Sequence, residues 1–270
     1  MAVRSVVITG STRGLGFGLA QAFVARGCNV VVHGRSNVDE AARKLGAAER
    51  VLAFSGDVTQ EASVQALWDA AVARFGRVDV WINNAGSGGA QVPLVETPAT
   101  VAADVVRTNF VGCVVGTRVA LEGMKRQGGG QIFNMEGFGS NPRIKRVGMS
   151  VYGATKAATR YFTHSVAREV SGSPVLVGTL SPGVVVTDML IHQFDGAPRA
   201  KWEKSRRIYN KLADTVDTVA PYLAERVLAN TVNGAAIAWI NPLQMLLRII
   251  SPFRSGRDLF GEVSPPNLIG

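Results

Sequence analysis

Val3-Arg4-Ser5-Val6-Val7-Ile8-Thr9-Gly10-Ser11-Thr12-Arg13-Gly14-Leu15-Gly16 opens the chain with a β-branched run that stops at a glycine-rich turn. An apolar run of strand length, broken at Gly10 and followed by helical spacing over residues 15–26, reads as strand, tight turn and helix. Glycines at 10, 14 and 16 let the backbone turn sharply and keep it bare of side chains. The first N–H groups of the helix carry partial positive charge, so a ligand's pyrophosphate can settle against this turn.

Working outward, short β-branched runs alternate with longer helical patterns. Residues 3–9, 30–33, 51–55, 78–82, 131–135, 175–180 and 235–240 read as strands; 15–26, 38–45, 63–75, 98–124 and 152–170 carry helical spacing. Strands that are apolar almost throughout, joined by helices, predict an α/β fold: one Rossmann-type doubly wound domain with a seven-stranded parallel sheet and helices on both faces. The 270 residues contain no Pro/Ser-rich linker or composition break, so residues 1–270 are expected to form a single domain. Within it, 1–186 would bind cofactor and carry the catalytic groups, 187–232 would cover the substrate, and 233–270 would supply the last strand and a tail. Ligands of such sheets bind beyond the carboxyl ends of the strands near the topological switch point, which directs attention to the loops.

With 47% hydrophobic and 18% charged residues the composition is globular. The opening apolar run is too short for a signal peptide, and no run approaches a membrane span, so a soluble cytoplasmic protein is expected, with peripheral membrane contact left open. Cys28 and Cys113 both sit in apolar contexts and read as buried thiols in a reducing compartment. The net charge of +9 favours anionic partners. No zinc spacing, nucleic-acid module or aromatic stacking motif accompanies it, so neither a metal site nor nucleic-acid binding is expected.

Two further stretches carry chemistry. At the end of the second strand, His33-Gly34-Arg35-Ser36 offers no carboxylate to accept a ribose 2′-OH, while Arg13 and Arg35 can converge on a 2′-phosphate. NADPH is therefore expected over NADH. In Val151-Tyr152-Gly153-Ala154-Thr155-Lys156, Tyr152 and Lys156 fall on one face of a helix. A free phenol titrates near ~10, and a neighbouring ammonium favours the phenolate, making Tyr152 a candidate proton donor.

With the glycine turn, Asp57-Val58, Asn83-Asn84-Ala85-Gly86, Asn109, Tyr152 to Lys156 and Ser181-Pro182-Gly183 in order, the chain resembles the short-chain dehydrogenase/reductase family from about residue 3 to 190. The resemblance implies a cofactor site of Gly10, Ser11, Thr12, Arg13, Gly14, Leu15, Gly16, Arg35 and Ser36. Asp57 and Val58 would flank the adenine, Asn84, Ala85 and Gly86 would line the floor, and Pro182, Gly183, Val185 and Thr187 would meet the nicotinamide. Tyr152 would donate a proton to a carbonyl oxygen, Lys156 would hold the nicotinamide ribose and lower the tyrosine pKa, and Asn109 would position a relay water. A homo-oligomer is also implied.

The chain departs from the family pattern where a serine usually follows the fifth strand. Gln131-Ile132-Phe133-Asn134-Met135-Glu136-Gly137 aligns Gly137 there, and Ser140 lies three residues later. Ser140 is expected to bind the substrate carbonyl, with Glu136 as the other polar candidate. The same Ile132 to Ser140 stretch, with Trp81 to Gly86 and the segment 234–242, resembles the chlorophyll(ide) b reductases. That narrower resemblance implies reduction of the C7 formyl group of chlorophyll b or chlorophyllide b to hydroxymethyl. The alternatives are another bulky hydrophobic aldehyde or ketone (steroid, polyketide or fatty-acyl) and a non-catalytic dinucleotide-binding protein.

At the substrate end, Met189, Leu190, Ile191, Phe194 and Trp202 offer an apolar wall and Lys201, Lys204, Arg206 and Arg207 a basic rim, or else an ordinary amphipathic helix. The tail mixes Leu243, Met245, Leu246, Leu247, Ile249, Ile250 and Phe253 with Arg248, Arg254 and Arg257. It is expected to dock on the sheet, on another subunit or on an anionic membrane, in that order.

Overall fold

The structure is a computed structural model that describes residues 3–89, 91–141, 143, 145–251, 254, 256–261 and 266–268. Seven parallel strands form one sheet: β1 (Ser5–Ile8), β2 (Asn29–Gly34), β3 (Val51–Ser55), β4 (Val80–Asn83), β5 (Gly130–Met135), β6 (Val175–Ser181) and β7 (Ala236–Ala238), in the order β3-β2-β1-β4-β5-β6-β7. The order reverses between β1 and β4, where Val6 pairs with Val30 on one side and Val80 on the other. Side chains alternate across a sheet covered on both faces, so the strands need apolar residues at successive positions. Val6 and Ile8 enter one core cluster, beneath α1 (Gly14–Val24), while Val7 enters the opposite one with Trp81 and Ile132. Burying each such side chain contributes roughly 1.5–3 kcal/mol, so the periodicity alone fixes the layering.

Three helices between the early strands follow the sequence reading: α1, α2 (Val38–Leu45) and α3 (Glu61–Phe75). The expected single helix over 98–124 is instead α4 (Ala99–Val106), a π-helical turn over Arg107–Val111 and α5 (Gly112–Gln127). The wide turn holds Asn109, and such turns recur at functional sites. The combined segment Ala99–Gln127 is long and apolar enough by composition to cross a membrane; here it contacts α3, the sheet and α6 (Ser150–Glu169).

Beyond β6 come α7 (Asp188–His192), α8 (Arg199–Leu212), α9 (Val216–Ala229) and, after β7, α10 (Pro242–Ile250). Ile191, Phe194, Trp202, Tyr209 and Phe260 form a third apolar cluster that seats α7, α8 and the tail together. Ile191, Phe194 and Trp202 are therefore core residues of this layer, as the amphipathic-helix alternative has it, and do not line a substrate wall. Among the described residues α10 of the tail packs on α8, and the tail arginines gather on one buried carboxylate. Asp214 accepts hydrogen bonds from Arg254 at 2.9 Å, Arg257 at 3.4 Å, Trp239 at 2.7 Å, and Arg248. Phe253 and the side chains of Ile249 and Ile250 lie outside the described residues, while Leu243, Leu246 and Leu247 stand exposed on α10.

Candidate active site

A cavity of about 680 Å³ runs along the carboxyl edge of the sheet across the switch point. Its first end is built by the turn after β1. Gly10 has φ +64°, and a Cβ there would meet the backbone of Ala85 at 2.7 Å, so this position closes only with glycine. Asn84 ties the turn down: its Nδ2 donates to the carbonyls of Thr9 and Gly10, both at 2.9 Å, while Thr9 Oγ1 accepts from the N–H groups of Asn84 and Ala85. The loops after the two strands that flank the switch point are thereby locked together.

Helix α1 starts in this cavity with no side-chain cap and no acidic residue in its first turn. Its orphan N–H groups and positive dipole end face the space that the glycines leave bare. Arg13, Arg35 and Ser36 line the same end, with Asp57 and Val58 opposite and no carboxylate at the tip of β2. This uncapped cradle with its guanidinium groups fits a dinucleotide pyrophosphate and ribose.

His33 was not expected here. Its ring stacks on Phe54, its Nδ1 accepts from the N–H of Gly10 at 3.4 Å, and its buried Nε2 has no partner. Desolvation pushes its pKa down to about 4, so the ring is neutral at physiological pH. Ser11 belongs to the frame rather than to the cavity wall: its hydroxyl donates to the carbonyl of Ile8 and accepts from the N–H of His33.

Tyr152 and Lys156 lie in the first two turns of α6, and both line the cavity. Lys156 Nζ donates to the carbonyl of Met135 at 2.9 Å. Burial pushes Lys156 down to about 8, opposed by the negative charge potential of Cys113 and Glu136. Burial also pushes Tyr152 up to about 12. The expected lowering by Lys156 does not prevail, because the ammonium is turned to the Met135 carbonyl and lies 5.8 Å from the centre of the phenol ring. The phenol consequently keeps its proton at neutral pH.

The loop that follows β5 packs onto this helix start. Ser140 does not line the cavity: its hydroxyl accepts from the N–H of Gly137 at 3.1 Å and donates to the carbonyl of Lys156 at 3.3 Å. Gly139 at φ +99° brings the loop against the backbone of Gly153. The expected carbonyl-binding serine is thus a brace for the turn. Gly137 itself faces the phenol, and a Cβ there would overlap the Tyr152 hydroxyl oxygen. Glu136 lines the cavity beside it, 3.7 Å from Arg160.

Asn109 also acts through structure. Its Oδ1 accepts from the N–H of Ser87 at 2.7 Å, and its Nδ2 donates to the carbonyl of Ser87 and to Thr155 Oγ1 at 3.2 Å. The π-helical turn therefore clamps the loop after β4, where Gly86 lines the cavity, to the helix of Tyr152. Behind it Asn83, Asn134 and Thr163 continue a buried chain of hydrogen bonds. Helical and strand periodicity gave no sign of this chain, since its members occupy apolar-face positions.

Pro182, Gly183, Val185 and Thr187 form the wall after β6, held by backbone pairing of Val184 and Val186 with Asp214. Beyond Tyr152, the substrate end is lined by Phe138, Met149, Met189, Leu190 and Tyr209. Lys201, Lys204, Arg206 and Arg207 do not line it; Arg206 pairs with Asp258. A cation lining this end is Arg146, part of a basic run over 143–146 that the sequence did not tie to the site.

An open parallel sheet with a glycine turn at its switch point carries, in one cavity, a protonated tyrosine held beside a lysine. Residues 4–197 match the model of the short chain dehydrogenase family, and the chain belongs to that family. It is 34% identical over 276 residues to the Arabidopsis thaliana protein named "Probable chlorophyll(ide) b reductase NYC1, chloroplastic", with 94% of this chain and 54% of that protein covered. The chain thus spans about half the length of that relative. The chlorophyll(ide) b reductase NOL, chloroplastic, of Oryza sativa subsp. japonica is 35% identical over 266 residues, covering 93% of this chain and 76% of that protein. The crystal structure of 3-ketoacyl-(acyl-carrier-protein) reductase from Brucella melitensis complexed with NADH superposes with a TM-score of 0.75 at 26% identity, covering 87% of this chain and 96% of that one.

Proposed function

We propose that this chain is an NADPH-dependent reductase of a bulky hydrophobic carbonyl, and that the substrate is the C7 formyl group of chlorophyll b or chlorophyllide b, reduced to hydroxymethyl. The observation that carries the chemistry is one continuous cavity joining the glycine turn to the protonated Tyr152. The choice of NADPH rests on Arg13 and Arg35 and on the missing carboxylate at the end of β2. The choice of substrate rests on the two named relatives and on the apolar substrate end.

The glycine turn, Val185 and Thr187 would hold a nicotinamide dinucleotide, which when bound would supply a hydride to a carbonyl carbon. Negative charge then grows on the carbonyl oxygen, and Tyr152 stabilises it by donating a hydrogen bond and then its proton. Lys156, fixed by the Met135 carbonyl, keeps a positive charge near the phenolate left behind. Met189 and Leu190 supply apolar lining at the substrate end.

NADPH oxidation followed against chlorophyllide b and a panel of bulky aldehydes and ketones tests the reading. Turnover of the formyl substrate is expected, lost by at least about 100-fold in Tyr152→Phe, the lower end of the usual range for a proton-transfer group, with NADPH affinity kept. Equal turnover in the variant refutes the mechanism. Turnover of a steroid or acyl ketone without chlorophyllide b moves the substrate to the second class.

A further inference from the structure

We propose that Arg146 and Tyr209 form a carboxylate-binding subsite at the substrate end, so that the preferred substrate carries a free acid remote from its reacting carbonyl. The inference rests on the reductase reading above and deepens it by naming the substrate's second functional group. Arg146 sits on a turn just before the helix of Tyr152, closed by the N–H of Met149 donating to the Arg146 carbonyl at 3.2 Å. Gly148, at φ +81°, lets this turn lie against the backbone of Gln91. The cation is thereby built into the same loop and helix that carry the proton donor.

Arg146 Nη1 donates to the Tyr209 hydroxyl oxygen at 2.6 Å, and Gln193 Nε2 approaches the same oxygen at 3.5 Å. That oxygen is acting as an acceptor, so its own proton remains a donor, and the guanidinium keeps further N–H groups beyond the one it uses. Both residues line the cavity, and no carboxylate among the described residues lies within ion-pair distance of Arg146. Glu136, the nearest candidate in chain order, is taken by Arg160. Tyr209 is buried in the third apolar cluster, with its ring edge-on to Phe194, so the hydroxyl is held rather than free to swing. A cation and a hydroxyl donor converging at this end of the cavity, beside the amide of Gln193, match a planar acceptor with two oxygens, which is a carboxylate.

The test compares chlorophyllide b, whose propionate is free, with its methyl ester, in the wild type, Arg146→Gln, Arg146→Lys and Tyr209→Phe. Arg146→Gln is expected to raise KM for the acid by about 10- to 100-fold, the range for a lost hydrogen bond to a charged group. KM for the ester and the NADPH dissociation constant should stay within about twofold of wild type, which also shows that the variant folds. Arg146→Lys should recover part of the preference for the acid. Binding of formyl-free chlorophyllide a and its methyl ester, measured by fluorescence quenching with NADP⁺ present, reads the subsite without turnover. An acid preference that depends on Arg146 in binding, with no turnover of chlorophyllide b, would keep the subsite and overturn the substrate reading. Equal losses for acid and ester, or no loss for either, would overturn the subsite.

Discussion

Replacing Asp214 by Asn should loosen the C-terminal third of the molecule far more than the loss of one surface charge would. The carboxylate side chain is 7% exposed, and it accepts from three guanidinium groups and the indole N–H of Trp239. Removing one partner of a buried ion pair costs roughly 3–5 kcal/mol when the other charge is left without compensation. Here Arg248, Arg254 and Arg257 keep 15%, 22% and 30% of their side-chain surface in water. They also donate to the carbonyls of Leu212, Lys211 and Ala213. Water and those carbonyls take up part of the loss, which brings the expectation to roughly 2–3 kcal/mol. For a chain of this size that corresponds to a fall in Tm of about 4–10 °C.

Urea denaturation of wild type and Asp214→Asn measures it directly. Arg257→Ala, the longest and most exposed of the contacts, serves as the graded control and should cost less than about 1 kcal/mol. The backbone of Asp214 pairs with Val184 and Val186 beside the cavity wall, so NADPH affinity should fall together with stability in Asp214→Asn. An Asp214→Asn protein within about 0.5 kcal/mol of wild type, the range of an ordinary surface substitution, would refute the clamp.

His33 gives an acid-side signature. Its folded pKa of about 4 lies below the unfolded 6.5, so the unfolded chain binds more protons between these values and stability falls as pH drops through that window. The loss amounts to about 3 kcal/mol at most, read as a urea-midpoint difference between wild type and His33→Gln that changes from pH 7 to pH 4.5; a pH-independent difference would rule it out. Lys156, at about 8, should discharge as pH rises through that value while Tyr152, at about 12, keeps its proton. The rate of reduction should therefore decline above about pH 8, and a decline that persists unchanged in Lys156→Met would assign it to another group.

The sheet was legible because its strands are buried on both faces and so announce themselves as continuous apolar runs, as β1 and β4 do. Cofactor-site glycines were legible for a related reason: a close backbone approach, such as Gly10 to Ala85, admits no other residue. What stayed hidden was direction. Ser11, Ser140 and Asn109 were identified as polar residues near a site, yet each turns its side chain into the frame, because a neighbouring backbone group needs a partner more than the cavity does. Spacing along the chain does not report which way a hydroxyl points. The π-helical turn at Asn109 is invisible to a 3.6-residue period, since it widens the helix without changing its apolar face. The shared site of the tail arginines was hidden because their common partner, Asp214, lies 34 or more residues away in sequence.

The frame residues and the reacting residues are nevertheless one device. Ser140 holds the N–H of Gly137 and the carbonyl of Lys156, so it fixes both the turn that faces the phenol and the helix turn that carries the lysine. Gly137 lacks the carbon that would overlap the Tyr152 hydroxyl, so the phenol can sit against the backbone there while lining the cavity. Asn109 clamps the opposite wall, through Ser87, to Thr155 on the same helix. The donor position is therefore set by a glycine, a serine and an asparagine that need not touch the substrate. A displacement of about 1 Å at the reacting atoms can cost about 100-fold in rate. A serine turned into the frame thus serves the reaction by fixing where the proton starts.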